Sequence, residues 1–123
     1  MFLAGAKAPA APRPDPFGAW RNPDRSVVVK LQPCSDKLCG VIVWASPSAQ
    51  AEARRAEARP LIGLELLRDY HRVSATAWRG TVYVPDMGRS FSSKLVQRDA
   101  NTLEISGCVI AGLLCRHQQW QRA

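Results

Sequence analysis

Four cysteines are the residues of this chain best suited to covalent or metal chemistry. They lie in two close groups, Cys34 near Cys39 and Cys108 near Cys115. An even number of cysteines in a small chain is typical of a disulfide framework formed in an oxidising compartment. Structural zinc sites usually contain Cys-x-x-Cys knuckles, and these spacings are longer. We therefore predict disulfides, no metal site and no cofactor.

Residues for acid–base or nucleophilic chemistry form no recognisable constellation. His71 and His117 have no carboxylate at ligand spacing, although His117 lies two residues from Cys115 on the same strand face. The serines at 90–93 are not surrounded by a nucleophile-elbow motif, and no glycine-rich phosphate loop is present. The sequence therefore predicts a protein that is not an enzyme.

The formal net charge of +7 raises the question of an anionic partner. A basic surface attracts nucleic acid, anionic lipid or acidic polymers. The basic residues are scattered, however, and Arg54-Arg55 is the tight pair. A solubility surface is the simpler interpretation of this charge.

Short strand-like segments with turn signals between them must position these residues. Residues 26–32 alternate Val27, Val29 and Leu31 with polar residues, as a half-buried strand does. The same kind of segment recurs at regular spacing, which favours an antiparallel meander. We predict eight strands: 17–21, 26–32, 38–44, one beginning within 61–67, 78–84, 89–97, 102–109 and 114–122.

Closing such a meander into an all-β, up-and-down antiparallel barrel removes both of its open edges. A barrel of eight strands is either filled by its own side chains or holds one small ligand. Successive turns of the meander alternate between its two ends. The two cysteine groups then lie at opposite ends, so cross-pairing exceeds the Cα separation of about 7 Å that a disulfide allows. We predict Cys34–Cys39 and Cys108–Cys115.

The segment 45–59 interrupts the strands between the third and the fourth. Residues 49–59 are Ala, Glu, Arg and Gln, which are strong helix formers, and Ser48 is the expected N-cap. No apolar stripe runs along this segment, so we expect a solvated helix or flexible flap. We predict that it forms a lid over one end of the barrel.

The first residues do not fit the strand pattern. Residues 1–16 are rich in Ala and Pro without periodicity, which predicts a disordered tail or the remnant of a signal peptide. We assign residues 17–123 to a single domain. No apolar run approaches the length of about 20 residues that a transmembrane helix requires.

Gly18-Ala19-Trp20 resembles the Gly-x-Trp signature on the first strand of lipocalins and their calycin relatives. In those proteins the Trp closes the base of the barrel, and an Arg from the last strand packs over it. Arg122 is placed to be that Arg. The resemblance implies that Gly18, Trp20 and Arg122 form the barrel closure, with a cation–π contact between Arg122 and Trp20.

More of the chain resembles a family of small exported bacterial proteins known as domain of unknown function 2147. The resemblance rests on segments that occur in order, namely 18–20, 38–42, 59–64, 78–80, 83–86, 107–108 and 115–122. It implies a lipocalin-like barrel, location in the periplasm or outside the cell, and no established activity. Relatives usually carry Asp and Asn before the segment 59–64, and residues 49–58 depart from that pattern.

Inward strand positions define a candidate ligand site. Trp78 and Tyr83 lie at an even and an odd position of the same predicted strand, so their side chains should point to opposite faces. We expect Trp78 to be the one that faces inward. Arg59 either anchors a carboxylate at the barrel mouth or supports the rim. The expected interior lining is Val27, Val29, Trp44, Trp78, Phe91 and Leu95. This lining suits a small hydrophobic or amphipathic ligand, and it serves equally as plain core.

Two functions of different classes remain open from the sequence. The first is an exported binding protein with a small hydrophobic or amphipathic ligand in the barrel. The alternative is a structural or interaction protein of the cell envelope whose basic surface binds an acidic partner or polymer. Nucleic-acid binding is not expected, because the aromatic residues are assigned to inward positions instead of an exposed basic face.

Overall fold

The computed structural model describes residues 15–85, 87–109 and 114–123, with the side chains at 109, 114 and 115 excepted. Eight strands and one helix make up the described part of the chain. In order they are β1 Gly18–Arg21, β2 Val27–Cys34, β3 Lys37–Ala45, α1 Pro47–Arg55, β4 Glu65–Ser74, β5 Ala77–Val84, β6 Arg89–Asp99, β7 Thr102–Val109 and β8 Leu114–Arg122.

Every strand pairs antiparallel with the next strand in the sequence, and the sheet is closed. Closure is made by β1 and β8, where Trp20 lies opposite Arg122 and Arg21 lies opposite Gln121. The predicted all-β, up-and-down barrel of eight strands is therefore confirmed. Among the described residues, no helix is long and apolar enough to cross a membrane.

The barrel has two different ends. The base contains the start of β1, the hairpins β2–β3, β4–β5 and β6–β7, and the end of β8. The mouth contains the β1–β2 turn, the segment between β3 and β4, and the β5–β6 turn. The β7–β8 connection, which we expected at the mouth, lies outside the described residues.

The core fills the barrel from the base upward. Alternate residues of each strand point inward, as Val29 and Leu31 do on β2 and Leu95 does on β6. Gly80 on β5 leaves room for the Tyr70 ring, since a Cβ atom at Gly80 would lie 2.6 Å from it. The large side chains buried in this core are Trp20, Leu31, Leu38, Ile42, Leu67, Tyr70, Trp78, Leu95, Leu103 and Trp120.

The helix begins and ends earlier than predicted. Its N-cap is Ser46, not Ser48, and the Ser46 side chain accepts a hydrogen bond from the Ala49 backbone N–H at 3.1 Å. Pro47 follows at the first helical position, where its fixed φ is favourable and its missing N–H is not needed. The chain leaves the helix through Glu57, which has the left-handed φ of +54°.

The strand after the helix begins within the segment 61–67, as predicted. Residues 61–64 form a turn, with the Leu64 N–H bonded to the Leu61 carbonyl at 3.0 Å, and β4 starts at Glu65. Gly63 has a φ of +92°, which reverses the chain direction before the strand. Leu61 is buried in the core although it lies in this turn and not in the strand. The segment is apolar because the turn packs over the mouth of the barrel.

Candidate functional site

A cavity of about 550 Å³ lies at the mouth, between helix α1 and the open end of the barrel. We refer to it as the mouth cavity. Its walls come from the β1–β2 turn, the helix, the turns before β4 and after β5, and the inner faces of β3, β4 and β8. The lining residues are Asn22, Asp24, Arg25, Ser26, Val27, Ile42, Ser46, Ser48, Ala49, Glu52, Ala53, Ala56, Ala58, Leu61, Leu66, Pro85, Gln118 and Trp120.

The floor of the mouth cavity is apolar. Ile42, Leu61 and Leu66 are buried members of the barrel core that also line the cavity. Trp120 is 3% exposed, and its indole N–H donates to the Gln118 side-chain oxygen at 2.9 Å. The only polar atom of that indole is therefore already satisfied, which leaves the ring as an apolar surface for a ligand.

The rim of the mouth cavity is polar and partly preorganised. The Asn22 side-chain oxygen accepts hydrogen bonds from the backbone N–H groups of Ser26 and Val27 at 2.9 and 3.0 Å. Asp24 accepts a hydrogen bond from the Ser26 hydroxyl at 2.7 Å. These bonds fix the β1–β2 turn, where Arg25 has a φ of +61°. One edge of the cavity is thus held in a single shape.

Helix α1 covers the mouth cavity through a narrow face of small residues. Ala49 and Ala53 pack against the barrel core, and both line the cavity. The Ser46 N–H donates to the Ser26 carbonyl at 2.8 Å, and the Gln50 amide donates to the Ala45 carbonyl at 3.0 Å. The helix therefore lies over the mouth, as the lid prediction requires. Its alanine face was missed because alanine gives only a weak apolar signal.

The base is closed by Arg122 and Trp20. The Arg122 guanidinium carbon lies 4.2 Å from the centroid of the Trp20 ring, so the predicted stacking contact is present. The same guanidinium donates to the carbonyls of Phe17 and Asp15, at 2.7 and 2.8 Å. Its Nε donates to the Ala100 carbonyl at 3.0 Å.

Gly18 makes this arrangement possible. Its φ is +113°, and a Cβ atom there would lie 3.1 Å from an Arg122 guanidinium nitrogen. A side chain at this position is therefore disfavoured both by the backbone conformation and by space. The contacts of the base also include Asp15 and Pro16, which precede the predicted start of the domain at residue 17.

A second arginine covers a second tryptophan at the base. The Arg72 guanidinium carbon lies 4.5 Å from the Trp78 ring centroid, and Arg72 also donates to the Ala75 carbonyl at 2.5 Å. Sequence reasoning missed this contact. The β4–β5 hairpin places Arg72 opposite Trp78 through a register shift between Arg72 and Ser74, and no residue type in the sequence marks that shift.

Two buried polar atoms without a hydrogen-bond partner among the described residues lie in the filled part of the barrel. The Tyr70 hydroxyl is near Ser93, but Ser93 donates its own proton to the Ser106 carbonyl at 2.8 Å. The Tyr70 hydroxyl and the Gln97 side-chain oxygen have no hydrogen-bond partner among the described residues. Burial raises the pKa of Tyr70 well above its ordinary value, and Ser93 offsets this only in part. Neither residue lines the mouth cavity.

Trp44 does not face the barrel interior, and that prediction is wrong. Its side chain is 45% exposed. On β3 the register moves from Ile42 opposite Val29 to Trp44 opposite Val28, so Val43 is an extra residue. This β-bulge turns Val43 and Trp44 outward and gives the next inward position to Ala45.

The other predicted lining residues fall into three groups. Val27 lines the mouth cavity. Val29, Trp78 and Leu95 face inward but lie in the packed core, away from the cavity. Phe91 is half-buried under Arg89, whose guanidinium carbon lies 5.5 Å from the Phe91 ring centroid.

Arg59 lies outside the mouth cavity. It lines a smaller groove of about 250 Å³ next to the helix. Its guanidinium carbon is 5.2 Å from the ring centroid of Tyr83. Of the two roles considered for Arg59, support of the rim fits this position, since the contact joins the segment before β4 to the wall of β5.

Cys34, Cys39 and Cys108 are in disulfide bonds. Cys34 and Cys39 are bonded, with their Cα atoms 5.9 Å apart, although Cys34 lies opposite Lys37 and not opposite Cys39 as expected. Cys108 is disulfide-bonded and lies opposite Cys115, whose side chain is outside the described residues. The sulfurs of Cys34 and Cys39 lie within 4.8 Å of a Glu65 oxygen. Both sulfurs are used in the disulfide, so they are not free thiolates for a metal.

Comparison with known proteins places the chain in a family without an assigned function. The family model described as "Uncharacterized protein conserved in bacteria (DUF2147)" matches residues 18–122. No curated protein matches the chain. A solved structure, protein HP1028 from the human pathogen Helicobacter pylori, described as belonging to the lipocalin family, is similar with a TM-score of 0.68. The two share 14% identity over 89% of this chain and 83% of that one, which shows a common fold.

Proposed function

The chain belongs to the bacterial family of uncharacterized proteins DUF2147, and we propose that it binds a small amphipathic molecule in the mouth cavity. The observation that carries this proposal is a cavity of about 550 Å³ with an apolar floor, a polar rim and a helix across it. Pockets for small molecules are typically about 300–1,000 Å³ and combine apolar walls with a few polar groups.

The lining indicates how such a molecule would be oriented. Its apolar part would pack on Leu61, Leu66 and the Trp120 ring, which form the floor. Its polar part would face the rim, where Glu52, Arg25 and Ser48 are exposed. A purely hydrophobic ligand would leave these exposed rim groups unused, whereas a ligand with a polar part can also bind to them. The amphipathic class is therefore favoured over the purely hydrophobic class.

Binding without catalysis is the role we assign to this cavity. Among the described residues, its charged lining residues are Asp24, Arg25 and Glu52, and no histidine or cysteine lines it. Asp24 is already engaged by the side chains of Asn22 and Ser26. These groups support orientation of a ligand, and they do not form a nucleophile with an adjacent base.

We place this function outside the cytoplasm, in the periplasm or beyond. The disulfide between Cys34 and Cys39 supports this location, because disulfides persist in oxidising compartments. Cys108 is also disulfide-bonded. The location is testable by fractionation of the native cells.

A cavity-filling substitution tests the proposal. Ala56→Phe adds a large side chain at an exposed position that lines the cavity, whereas Ala51→Phe adds the same side chain to the helix at a position that lines neither cavity. The probe is anilinonaphthalene sulfonate, an amphipathic dye whose fluorescence rises in apolar surroundings. We expect Ala56→Phe to weaken dye binding at least tenfold and Ala51→Phe to leave it unchanged. Equal binding by the wild type and both variants would place the dye elsewhere and contradict the proposal.

A further inference from the structure

One face of the mouth combines exposed apolar side chains with arginines. Val43, Trp44 and Ile62 are 46, 45 and 50% exposed. The Gly63 N–H donates to the Ile42 carbonyl at 2.8 Å, and the Ile42 N–H donates to the Leu64 carbonyl at 2.9 Å. These bonds align the turn that carries Ile62 with the bulged end of β3, so the three apolar side chains are neighbours on the outer surface.

The small groove of about 250 Å³ continues this apolar surface towards the helix. Ala58, Pro60 and Ile62 supply its apolar lining, and Arg54 and Arg59 supply its charge. We call Val43, Trp44, Arg54, Arg59 and Ile62 the rim face. The groove is smaller than the range of about 300–1,000 Å³ typical of small-molecule pockets. It suits a compact headgroup better than a whole ligand.

The charge of this region is unbalanced. The exposed segment from residue 54 to residue 59 contains three arginines, Arg54, Arg55 and Arg59, against one acid, Glu57. The ion pairs of the described residues are Arg68–Glu65 and Arg98–Glu104, and neither involves these arginines. Their charge is therefore available to an anionic partner.

From these features we infer that the rim face docks on an anionic membrane surface. Trp is the side chain that favours the boundary between headgroups and acyl chains, and Ile62 and Val43 add apolar area beside it. Arg54 and Arg59 lie where they would meet lipid phosphates, which they bind in a planar, bidentate way. A soluble acidic polymer would explain the arginines but would leave the exposed apolar side chains unused, so a bilayer is the better partner.

Docking on this face would bring the mouth cavity close to the bilayer. Ala53, Ala58 and Leu61 line both the mouth cavity and the groove, so the two spaces are separated only by these side chains. An amphipathic molecule could pass between the bilayer and the cavity by a short route. The docking itself does not rest on the proposed function, because it requires no ligand in the cavity.

Vesicle flotation with the full, ligand-free chain tests the inference. One set of vesicles is phosphatidylcholine alone, and the other contains equal parts of phosphatidylcholine and phosphatidylglycerol. We expect binding to the anionic vesicles only. The double variant Arg54→Gln/Arg59→Gln should lower the partition coefficient about thirtyfold. This is the change expected when two arginines are lost, because each contributes roughly one kcal/mol of attraction near an anionic surface.

Matched variants separate the rim face from overall charge. Lys37→Gln/Arg79→Gln removes the same charge from exposed positions at the base and on the barrel wall, and it should weaken binding only a few-fold. Trp44→Ala should weaken binding to anionic vesicles about tenfold, whereas Val73→Ala, at an equally exposed apolar position near the base, should not.

Three results would overturn the inference. The first is equal binding to neutral and anionic vesicles. The second is an equal loss for the two double variants, which would show that only net charge matters. The third is unchanged vesicle binding by Trp44→Ala together with binding of soluble dextran sulfate that depends on Arg54 and Arg59, which would identify an acidic polymer as the partner.

Discussion

At the scale of single residues, Arg122 connects three parts of the base. It stacks on Trp20, donates to Phe17 and Asp15 at the start of the barrel, and donates to Ala100 in the β6–β7 hairpin. Lysine has the charge but not the planar fork that can stack and donate in several directions at once. The base is therefore held by a geometry specific to arginine.

Replacing Arg122 should weaken the fold without changing the mouth. We expect Arg122→Ala to lower the free energy of unfolding by about 1–3 kcal/mol, because the stacking contact and several charge-assisted hydrogen bonds are lost. Arg122→Lys should recover less than half of this loss. Urea unfolding measures the effect, and dye binding at the mouth should remain that of the wild type. Arg79→Ala, at an exposed position on β5, is the control, and a loss as large as that of Arg122→Ala would contradict the role of Arg122.

Tyr70 should make stability fall at high pH. Burial raises the pKa of its phenol in the folded state, whereas the phenol of the unfolded chain ionises near pH 10.0. Above that pH, unfolding releases a proton, so the free energy of unfolding should decrease by up to about 1.4 kcal/mol per pH unit. Below pH 9 the contribution is constant. Urea unfolding of Tyr70→Phe between pH 9 and 11.5 should lack this decrease, whereas Tyr83→Phe should retain it. The same slope in wild type and Tyr70→Phe would exclude Tyr70 as its source.

At the scale of elements, helix α1 is a short lid whose ends are capped. Ser46 caps its start, and at its end the N–H groups of Glu57 and Ala58 bond to the carbonyls of Arg54 and Ala53. A helix of nine residues is marginal on its own in water. The caps and the contact of its alanine face with the core therefore stabilise the helix in its position over the mouth.

Removal of the N-cap should open the lid more often. Ser46→Ala removes a hydrogen bond that typically contributes about 1 kcal/mol, so amide exchange in the helix should become about fivefold faster. Release of bound dye should become faster to a similar degree. Ser48→Ala is the matched control for amide exchange, because the side-chain hydrogen bond found for Ser48 among the described residues is the one with the Ser46 hydroxyl, at 3.3 Å. Ser92→Ala, at an exposed position on β6 that does not line the mouth cavity, is the control for dye release. Equal exchange rates in both variants would show that the cap does not control the lid.

The elements also show which local features a sequence reveals. The strands were predictable because apolar and polar residues alternate in sequence wherever one face of a strand is buried and the other is exposed, as on β2. Trp44 was assigned to the wrong face because a single extra residue in β3 reverses the alternation, and no residue type marks that bulge. The predicted start of the helix was two residues too late because Ser46 and Ser48 are both acceptable N-caps. With Ser46 as the N-cap, Pro47 takes the first helical position, which proline favours.

At the scale of the whole molecule, the two ends of the barrel differ in structure. The base is closed by two arginine–tryptophan contacts, and its interior is filled by side chains. The mouth is open enough to hold a cavity of about 550 Å³. Closure was predictable, because Gly18, Trp20 and Arg122 lie at the two chain ends that an even number of strands brings together. The cavity was not, because its walls come from a turn, a helix and a strand that are distant in sequence.

Native mass spectrometry of the protein purified from its own cells tests the central claim most directly. If the mouth cavity carries an amphipathic molecule, the wild type and Ala51→Phe should each retain one small molecule of the same mass, and Ala56→Phe should be bare. Retention of the same molecule by Ala56→Phe, or bare wild-type protein under conditions that preserve non-covalent complexes, would contradict the assignment of ligand binding to this cavity.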